Sequence, residues 1–227
     1  MRWLYLLGMS GLMWGQAGLR GVVSDEGGAP LGGALVTATR EFVQADEVAP
    51  GRYSAITKSD GTFEILGMAA GTYAVCGAKQ PHEGYVDFCA WTLQPPRVVL
   101  VSGSVRSGYG IRLEKGVRVE AAFYDPDGVL HGKEEGKKRE QLRAGVAGPG
   151  LPPNGMYFSQ SDGGKAEYFL YVPKRMGVKV VASAGDGDLG KRADAPGLAR
   201  KDVGEDVGYV EGRGVQRVEF RYFKRKE

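Results

Sequence analysis

Residues 57–78, TKSDGTFEILGMAAGTYAVCGA, constrain the fold of this chain more than any other stretch. The Ser-Asp-Gly step is typical of a turn, because aspartate bonds its own backbone and glycine accepts a positive φ. After this turn Phe63 and Ile65 alternate with polar residues, and a second alternating run follows Gly71. A period of two indicates strands with one buried face. We therefore predict an all-β chain of antiparallel Greek-key sandwiches.

Length and glycine content favour two small domains. The chain has 227 residues, of which 37 are glycine, whereas glycine averages about 7% of proteins and domains hold about 100–150 residues. Many glycines among β-forming residues indicate short strands joined by turns. We predict one sandwich over residues 18–114 and a second, diverged sandwich over residues 115–227. The strands predicted in the first half are 19–23, 34–40, 52–58, 62–66, 72–78, 97–101 and 110–113.

The second half contains a diverged copy of the opening segment. Residues 157–184 again read as a Ser-Asp-Gly turn, an aromatic strand, a turn and a valine-rich strand. The two segments lie roughly one hundred residues apart, which is a domain-sized period. We also predict strands at 116–124 and 216–223, a solvated charged loop at 131–143, a turn-rich loop at 147–155 and a long connection at 185–214.

The first seventeen residues have the pattern of a secretory signal peptide. Arg2 provides a positive n-region, residues 3–14 an apolar h-region, and Gly15 and Ala17 the small residues of a cleavage site. The apolar run is too short to span a bilayer comfortably. An uncleaved N-terminal anchor and a buried strand are the alternatives. The pattern predicts a secreted, periplasmic or cell-surface protein, with no membrane span in the mature chain.

Cys76 and Cys89 are the only cysteines. In an exported protein an even pair favours a disulfide, which here would close a loop of about a dozen residues. Two separate buried thiols are the alternative. His82 lies between the cysteines, but a zinc site is disfavoured because no fourth ligand is evident.

Other candidate chemistry is weak. The two histidines, His82 and His131, are not accompanied by a nucleophile motif. Residues 125–128 and 186–188 resemble fragments of calcium loops, although turn chemistry also explains them; calcium binding by residues 185–214 is left open. A net charge of +3 is too small for a dedicated nucleic-acid-binding protein. We predict no catalytic residue, no cofactor and no metal site.

Three motifs, in order, resemble the carboxypeptidase regulatory-like domain family. GVVSDEGGAPLGGALV fits G-x-V-x-D-x-x-G-x-P-L-x-G-A-x-V, and the segments KSDGTFEI and LGMAAGTYAV resemble T-D-x-x-G-x-F-x-F and L-x-P-G-x-Y-x-V. The resemblance covers about residues 18–78 and departs at residues 58–60 and at Ala70, where the family has proline. It implies a Greek-key sandwich of about seven strands, related to transthyretin-like and collagen-adhesin B-type modules of secreted bacterial proteins. In the enzymes that name the family, this module is the non-catalytic accessory domain.

The resemblance implies an exported, non-enzymatic binding or structural module that recognises protein or polysaccharide at the cell envelope. One alternative is a carbohydrate-binding module with Tyr85, Phe88 and Trp91 as its binding rim; a buried Trp91 would contradict it. The same aromatics could instead fill the seam between the sandwiches. Another alternative is an accessory domain of an outer-membrane receptor system. An adhesin-type isopeptide crosslink is not expected, because Asn154 is the only asparagine.

Overall fold

A computed structural model describes residues 16–42, 51–124, 142–162, 164–184, 188–190, 202–207 and 215–223. These residues form sixteen strands and two short 3₁₀ helices, Pro81–Glu83 and Phe88–Trp91. The strands are β1 Ala17–Ser24, β2 Leu35–Arg40, β3 Arg52–Ile56, β4 Thr62–Met68, β5 Gly71–Ala78, β6 Arg97–Leu100, β7 Val105–Arg112, β8 Val117–Tyr124, β9 Leu142–Ala147, β10 Asn154–Gly155, β11 Tyr157–Asp162, β12 Lys165–Val172, β13 Val178–Ala184, β14 Asp188–Gly190, β15 Asp202–Val207 and β16 Val215–Phe223. Most of the predicted signal peptide, most of the predicted charged loop with His131, and residues 125–128 and 186–187 lie outside the described residues.

The strands form four sheets, in two pairs. Sheets β4-β1-β7 and β3-β2-β5-β6 enclose one hydrophobic cluster, and we call this pair the N-terminal sandwich. Sheets β11-β12-β8-β16-β14 and β10-β9-β13-β15 enclose a second cluster, and we call this pair the C-terminal sandwich. The prediction of an all-β sandwich fold is confirmed. The domain boundary at residue 114 stays a prediction.

The order of strands in the N-terminal sandwich recurs in the C-terminal one. The sequence of neighbours β4-β1-β7 corresponds to β12-β8-β16, and β3-β2-β5-β6 corresponds to β10-β9-β13-β15. Strands β4 and β5, from the opening segment, therefore have β12 and β13 as their counterparts. These two strands lie in the segment that the sequence marked as its diverged copy.

The described sheets are antiparallel except at one pair of strands in each sandwich. β1 pairs with β7 in parallel, as does β8 with β16. These partners are the first and last strands of their sandwiches, so no hairpin turn imposes an antiparallel direction on them. Similarly, β4 and β5 do not pair with each other: β4 pairs with β1, whereas β5 pairs with β2 and β6.

Four strands lie wholly or partly where the sequence predicted loops or a connection. β9 begins inside the predicted charged loop, β10 lies inside the predicted turn-rich loop, and β14 and β15 lie inside the predicted long connection. The sequences of β9 and β15, LRAGVA and DVGEDV, contain glycine, alanine and acids, which have low β propensity. Pairing of β9 and β15 with β13 on its two sides overrides that propensity.

The period-two pattern of the opening segment is confirmed by burial. Phe63 and Ile65 are each 4% exposed, and the intervening Glu64 is exposed. In the N-terminal sandwich they pack in one cluster with Leu19, Val36 and other side chains of the facing sheets. Apolar burial of this kind supplies the main favourable free energy of folding.

Candidate functional site

Cys76 and Cys89 form a disulfide, as predicted, with Cα atoms 5.9 Å apart. Cys76 lies on β5 and Cys89 in the second 3₁₀ helix. Asp87 caps this helix, because its Oδ1 accepts a hydrogen bond of 3.1 Å from the backbone N of Cys89. Burial raises the pKa of the Asp87 carboxyl. The disulfide thereby ties a helical turn directly to a central strand of the N-terminal sandwich.

The segment around this disulfide reaches into the C-terminal sandwich. Val86 and Trp91 are each 5% exposed, and both belong to the hydrophobic cluster of the C-terminal sandwich. A Cβ atom on Gly116 would lie only 2.5 Å from Val86 Cγ2, so Val86 packs directly against the backbone at the start of β8. We call residues 79–94 the bridging loop, because the loop follows β5 of one sandwich and supplies core residues to the other.

Hydrogen bonds also join the bridging loop to the C-terminal sandwich. The backbone N of Gly116 donates to Gly84 O at 2.9 Å, and the backbone N of Val86 donates to Glu114 O at 3.0 Å. At the far end, Asn154 Nδ2 donates to Ala90 O at 2.9 Å. The bridging loop is therefore held at both ends by polar contacts and in between by buried apolar side chains.

The three aromatic residues predicted as a binding rim lie in different environments. Tyr85 is half-buried against the N-terminal cluster, with Lys115 Nζ 3.8 Å from its ring centroid. Phe88 is 56% exposed and lines a pocket of about 120 Å³ beside the disulfide. Trp91 is buried, so it offers no exposed ring face for stacking on a sugar. This placement contradicts a sugar-stacking role for Trp91, because the C-terminal cluster already covers its indole.

An open groove of about 620 Å³ lies beside Trp91. Three of the side chains that line the groove, those of Trp91, Leu151 and Met176, meet around Gly148, and we call them the floor. A Cβ on Gly148 would lie 3.1 Å from both Leu151 Cδ1 and Met176 Sδ, and 3.5 Å from Trp91 Cε3. The residues lining the groove are Trp91, Thr92, Leu93, Gln94, Pro149, Leu151, Lys174, Arg175, Met176 and Gly177. No sequence pattern indicated this groove, because the three segments that line it are far apart along the chain.

Two basic residues stand at the rim of the groove. Lys174 Nζ lies 2.8 Å from Glu26 Oε1, and this hydrogen bond is the main cause of a lowered pKa of Glu26. Arg175 is exposed and has a φ of +63°, the one positive φ at a non-glycine residue in the described part of the chain. Arg175 has no ion-pair partner among the described residues.

A second concentration of charge covers the outer face of β8, β12 and β16. Glu167 there accepts hydrogen bonds from Arg217 Nη2 and Gln160 Nε2, both at 2.7 Å, and pairs with Lys165 Nζ at 2.5 Å. These bonds, led by the one from Lys165, lower the pKa of Glu167 to about 2. Every carboxylate and cation in this network already has a partner inside the sheet, so we assign it a structural role.

His82 lies exposed in the first 3₁₀ helix. Among the described residues there is no group of three or more His, Cys, Asp or Glu side chains arranged to hold a metal ion. The described helices include none with the length and apolar character needed to cross a membrane.

No protein-family model matches this chain, and no curated protein matches it either. Membership of the carboxypeptidase regulatory-like family therefore stays a prediction.

Several solved structures are similar. The TIE protein of Bacillus anthracis is 13% identical with a TM-score of 0.35, over 92% of this chain, which spans only 34% of that protein. A streptococcal ancillary pilin is 12% identical with a TM-score of 0.37, over 93% of this chain and 63% of the pilin. A minor pilin of Streptococcus agalactiae is 10% identical with a TM-score of 0.36, over 94% of this chain and 98% of the pilin. Such low identities and TM-scores carry no argument about function.

Proposed function

We propose that this chain is an exported, non-enzymatic structural and binding module whose two sandwiches act as one rigid unit and recognise a protein at the cell envelope. The observation that carries this proposal is the placement of Val86 and Trp91. Both belong to the bridging loop, and both complete the hydrophobic cluster of the C-terminal sandwich. Separating the sandwiches would expose both side chains to water, which is unfavourable by about 1.5–3 kcal/mol for each large apolar side chain.

The disulfide supports export. Disulfides persist in oxidising compartments and are rare in the cytosol. The Cys76–Cys89 bond agrees with the signal-peptide pattern of the first seventeen residues, which independently predicts secretion.

The use of the thiols supports a non-enzymatic role. A nucleophilic cysteine must be present as a thiolate, and both cysteines of the chain are bonded to each other. A general base must lie within hydrogen-bond reach of the group that it activates, whereas His82 is exposed on a short 3₁₀ helix.

A protein partner is favoured over a polysaccharide. Sugar recognition by stacking needs an exposed aromatic face, and of the three aromatics predicted as a rim only Phe88 is exposed. The groove beside Trp91 instead combines exposed aliphatic side chains with basic ones, a combination that suits a peptide.

The experiment combines fractionation with thiol labelling. The full chain, with its N-terminal segment, is produced in a bacterial host, and each fraction is treated with a maleimide reagent before and after reduction. We expect the protein outside the cytoplasm, with no label before reduction and two labels after it. A Cys76→Ser variant is the control, because its lone Cys89 must take one label without reduction. Recovery in the cytoplasm with two free thiols would contradict the proposal.

A further inference from the structure

The groove beside Trp91 exposes an apolar side chain that the fold does not need for its own core. Leu93 is 72% exposed at the groove wall. The two residues on either side of Leu93 are joined by a hydrogen bond, in which Thr92 Oγ1 accepts from the backbone N of Gln94 at 3.0 Å. The floor residues Trp91, Leu151 and Met176 line the same groove. An apolar floor with a large exposed aliphatic residue beside it is typical of a surface that a partner covers.

The backbone of the rim turn holds a strained conformation. Residues 173–176 form a turn in which the backbone N of Met176 donates to Pro173 O at 3.4 Å. Arg175 occupies its third position with a φ of +63°, where glycine or asparagine is usual. A non-glycine residue in this region is strained, and such strain is concentrated at functional sites. The strained turn places the exposed Arg175 at the groove, one residue after Lys174.

The charges of the rim define the chemistry of the occupant. The residues that line the groove include Lys174 and Arg175 and no acidic residue. Glu26 neutralises Lys174 from outside the groove, whereas no described residue pairs with Arg175. Within the described part of the chain no carboxylate compensates the Arg175 guanidinium beside the apolar floor, and guanidinium groups bind carboxylates in bidentate geometry.

We propose that this groove binds an extended peptide segment of a protein partner in which carboxylate side chains alternate with large apolar ones. The apolar side chains pack between Leu93 and the floor, and a carboxylate accepts hydrogen bonds from the Arg175 guanidinium. This inference rests on the proposed function, since it names the partner class of the binding module. It is tested on the purified, oxidised chain, so its failure is separate from any failure of export or disulfide formation.

The probe is a fluorescein-labelled peptide, Asp-Leu-Asp-Trp-Glu-Leu, titrated against the full chain and followed by fluorescence anisotropy. Two matched peptides are the controls: one has lysine in place of each acid, and the other has serine in place of each apolar residue. We expect saturable binding of the first peptide only, with affinity falling as salt is added because exposed charges are screened. Equal binding of the lysine peptide, or no saturable binding of the first peptide below about 1 mM, would overturn the proposal.

Variants locate the site. Glycine suits the positive φ at this position, so we expect Arg175→Gly to leave the melting temperature unchanged or raised. It should weaken peptide binding by roughly ten-fold or more, because the charge-assisted hydrogen bonds of the guanidinium are lost. Arg106→Ala is the matched control, because Arg106 is an exposed arginine on β7, outside the groove. Leu93→Ser should also weaken binding, whereas Val99→Ser, at a side chain that is 62% exposed on β6, should not.

Two further results would contradict peptide binding at this groove. Undiminished binding by a correctly folded Arg175→Gly and Leu93→Ser double variant would place the peptide elsewhere and overturn the proposal. Binding of an acidic oligosaccharide such as a polyuronate, without binding of the peptide, would also overturn it, since carboxylate and hydroxyl contacts of a sugar chain would then explain the groove.

Discussion

Glu26 and Lys174 form an ion pair across 148 residues of sequence, with hydrogen bonds of 2.8 and 3.0 Å from Lys174 Nζ to the two carboxylate oxygens. Glu26 also accepts a hydrogen bond of 2.7 Å from the backbone N of Lys115. One carboxylate after β1 therefore contacts both Lys115, two residues before β8, and the turn that follows β12.

This ion pair contributes little to the stability of the contact between the sandwiches. Its side chains are 43% and 44% exposed, and exposed pairs contribute about 0–1 kcal/mol. Burial of Val86 and Trp91 is larger, at about 1.5–3 kcal/mol for each side chain. The apolar contacts of the bridging loop therefore dominate the contact between the two sandwiches.

Replacing Trp91 by alanine should destabilise the C-terminal sandwich strongly. The change leaves a cavity in its cluster, which lowers the free energy of unfolding by about 3–5 kcal/mol. Chemical denaturation of the oxidised chain measures this effect. Phe88→Ala is the matched control, since Phe88 lies in the same helix but is 56% exposed, and surface changes usually stay within about 0.5 kcal/mol. Equal losses for the two variants would show that Trp91 does not join the core.

A methyl group on Gly116 should disturb the packing of the bridging loop. The Cβ of Gly116→Ala would lie 2.5 Å from Val86 Cγ2 and 2.7 Å from the backbone oxygen of Val172. We expect the free energy of unfolding to fall by about 1–3 kcal/mol, measured by urea denaturation. Gly155→Ala is the control, because no atom lies within 4 Å of its Cβ. A neutral Gly116→Ala would mean that Val86 packs elsewhere.

Removing the disulfide should loosen the bridging loop. With a sequence separation of 13, the chain-entropy treatment of a loop of this size predicts a loss of about 3 kcal/mol in the double variant Cys76→Ser, Cys89→Ser. Thermal melts with and without a phosphine reductant measure the change. The reductant should bring the native chain to the stability of the double variant and leave that variant unchanged. A response of the double variant to reductant would refute the disulfide as the cause.

Acid should weaken the C-terminal sandwich through Glu167. Its pKa in the folded state is about 2, below its ordinary value of 4.5. A lowered carboxyl pKa gives stability that is fully present above pH 4.5 and is lost as pH falls from there towards 2. We expect the free energy of unfolding, measured by urea denaturation at several pH values in this window, to fall less steeply with decreasing pH in Glu167→Gln than in the native chain.

The matched control for that titration is Glu64→Gln, which removes the carboxylate of an exposed ion pair with Arg20 on β1. Such a pair contributes little to stability, so in Glu64→Gln the free energy of unfolding should depend on pH as steeply as in the native chain. An unchanged slope in Glu167→Gln would mean that the network of Arg217 and Lys165 does not depend on this carboxylate.

Much of the N-terminal sandwich could be predicted from local patterns. Phe63 and Ile65 alternate with polar residues, and they are buried as the period of two requires. The disulfide could be predicted too, since the chain offers only Cys76 and Cys89 for it. These properties depend on neighbours in the sequence or on a count of residues.

The candidate site was less predictable. The sequence left open whether Tyr85, Phe88 and Trp91 form one binding rim or fill the seam between the sandwiches. In the structure they lie in a half-buried, an exposed and a buried environment. The strand β9 was missed because its glycine and alanines give no clear alternation. No local pattern indicated the positive φ of Arg175, because the turn that holds it contains no glycine within its four residues.

The amino-acid sequence by itself determined the all-β class, the faces of the regular strands and the identity of the disulfide partners. Only the tertiary structure decided that β1 pairs with β7 in parallel, that Trp91 completes the core of the other sandwich, and that Leu93 meets Arg175 at one groove. Local patterns record which side of a strand is apolar, because that depends on the pleat. The surface that covers a given side chain comes from residues far away in sequence, and packing alone selects it.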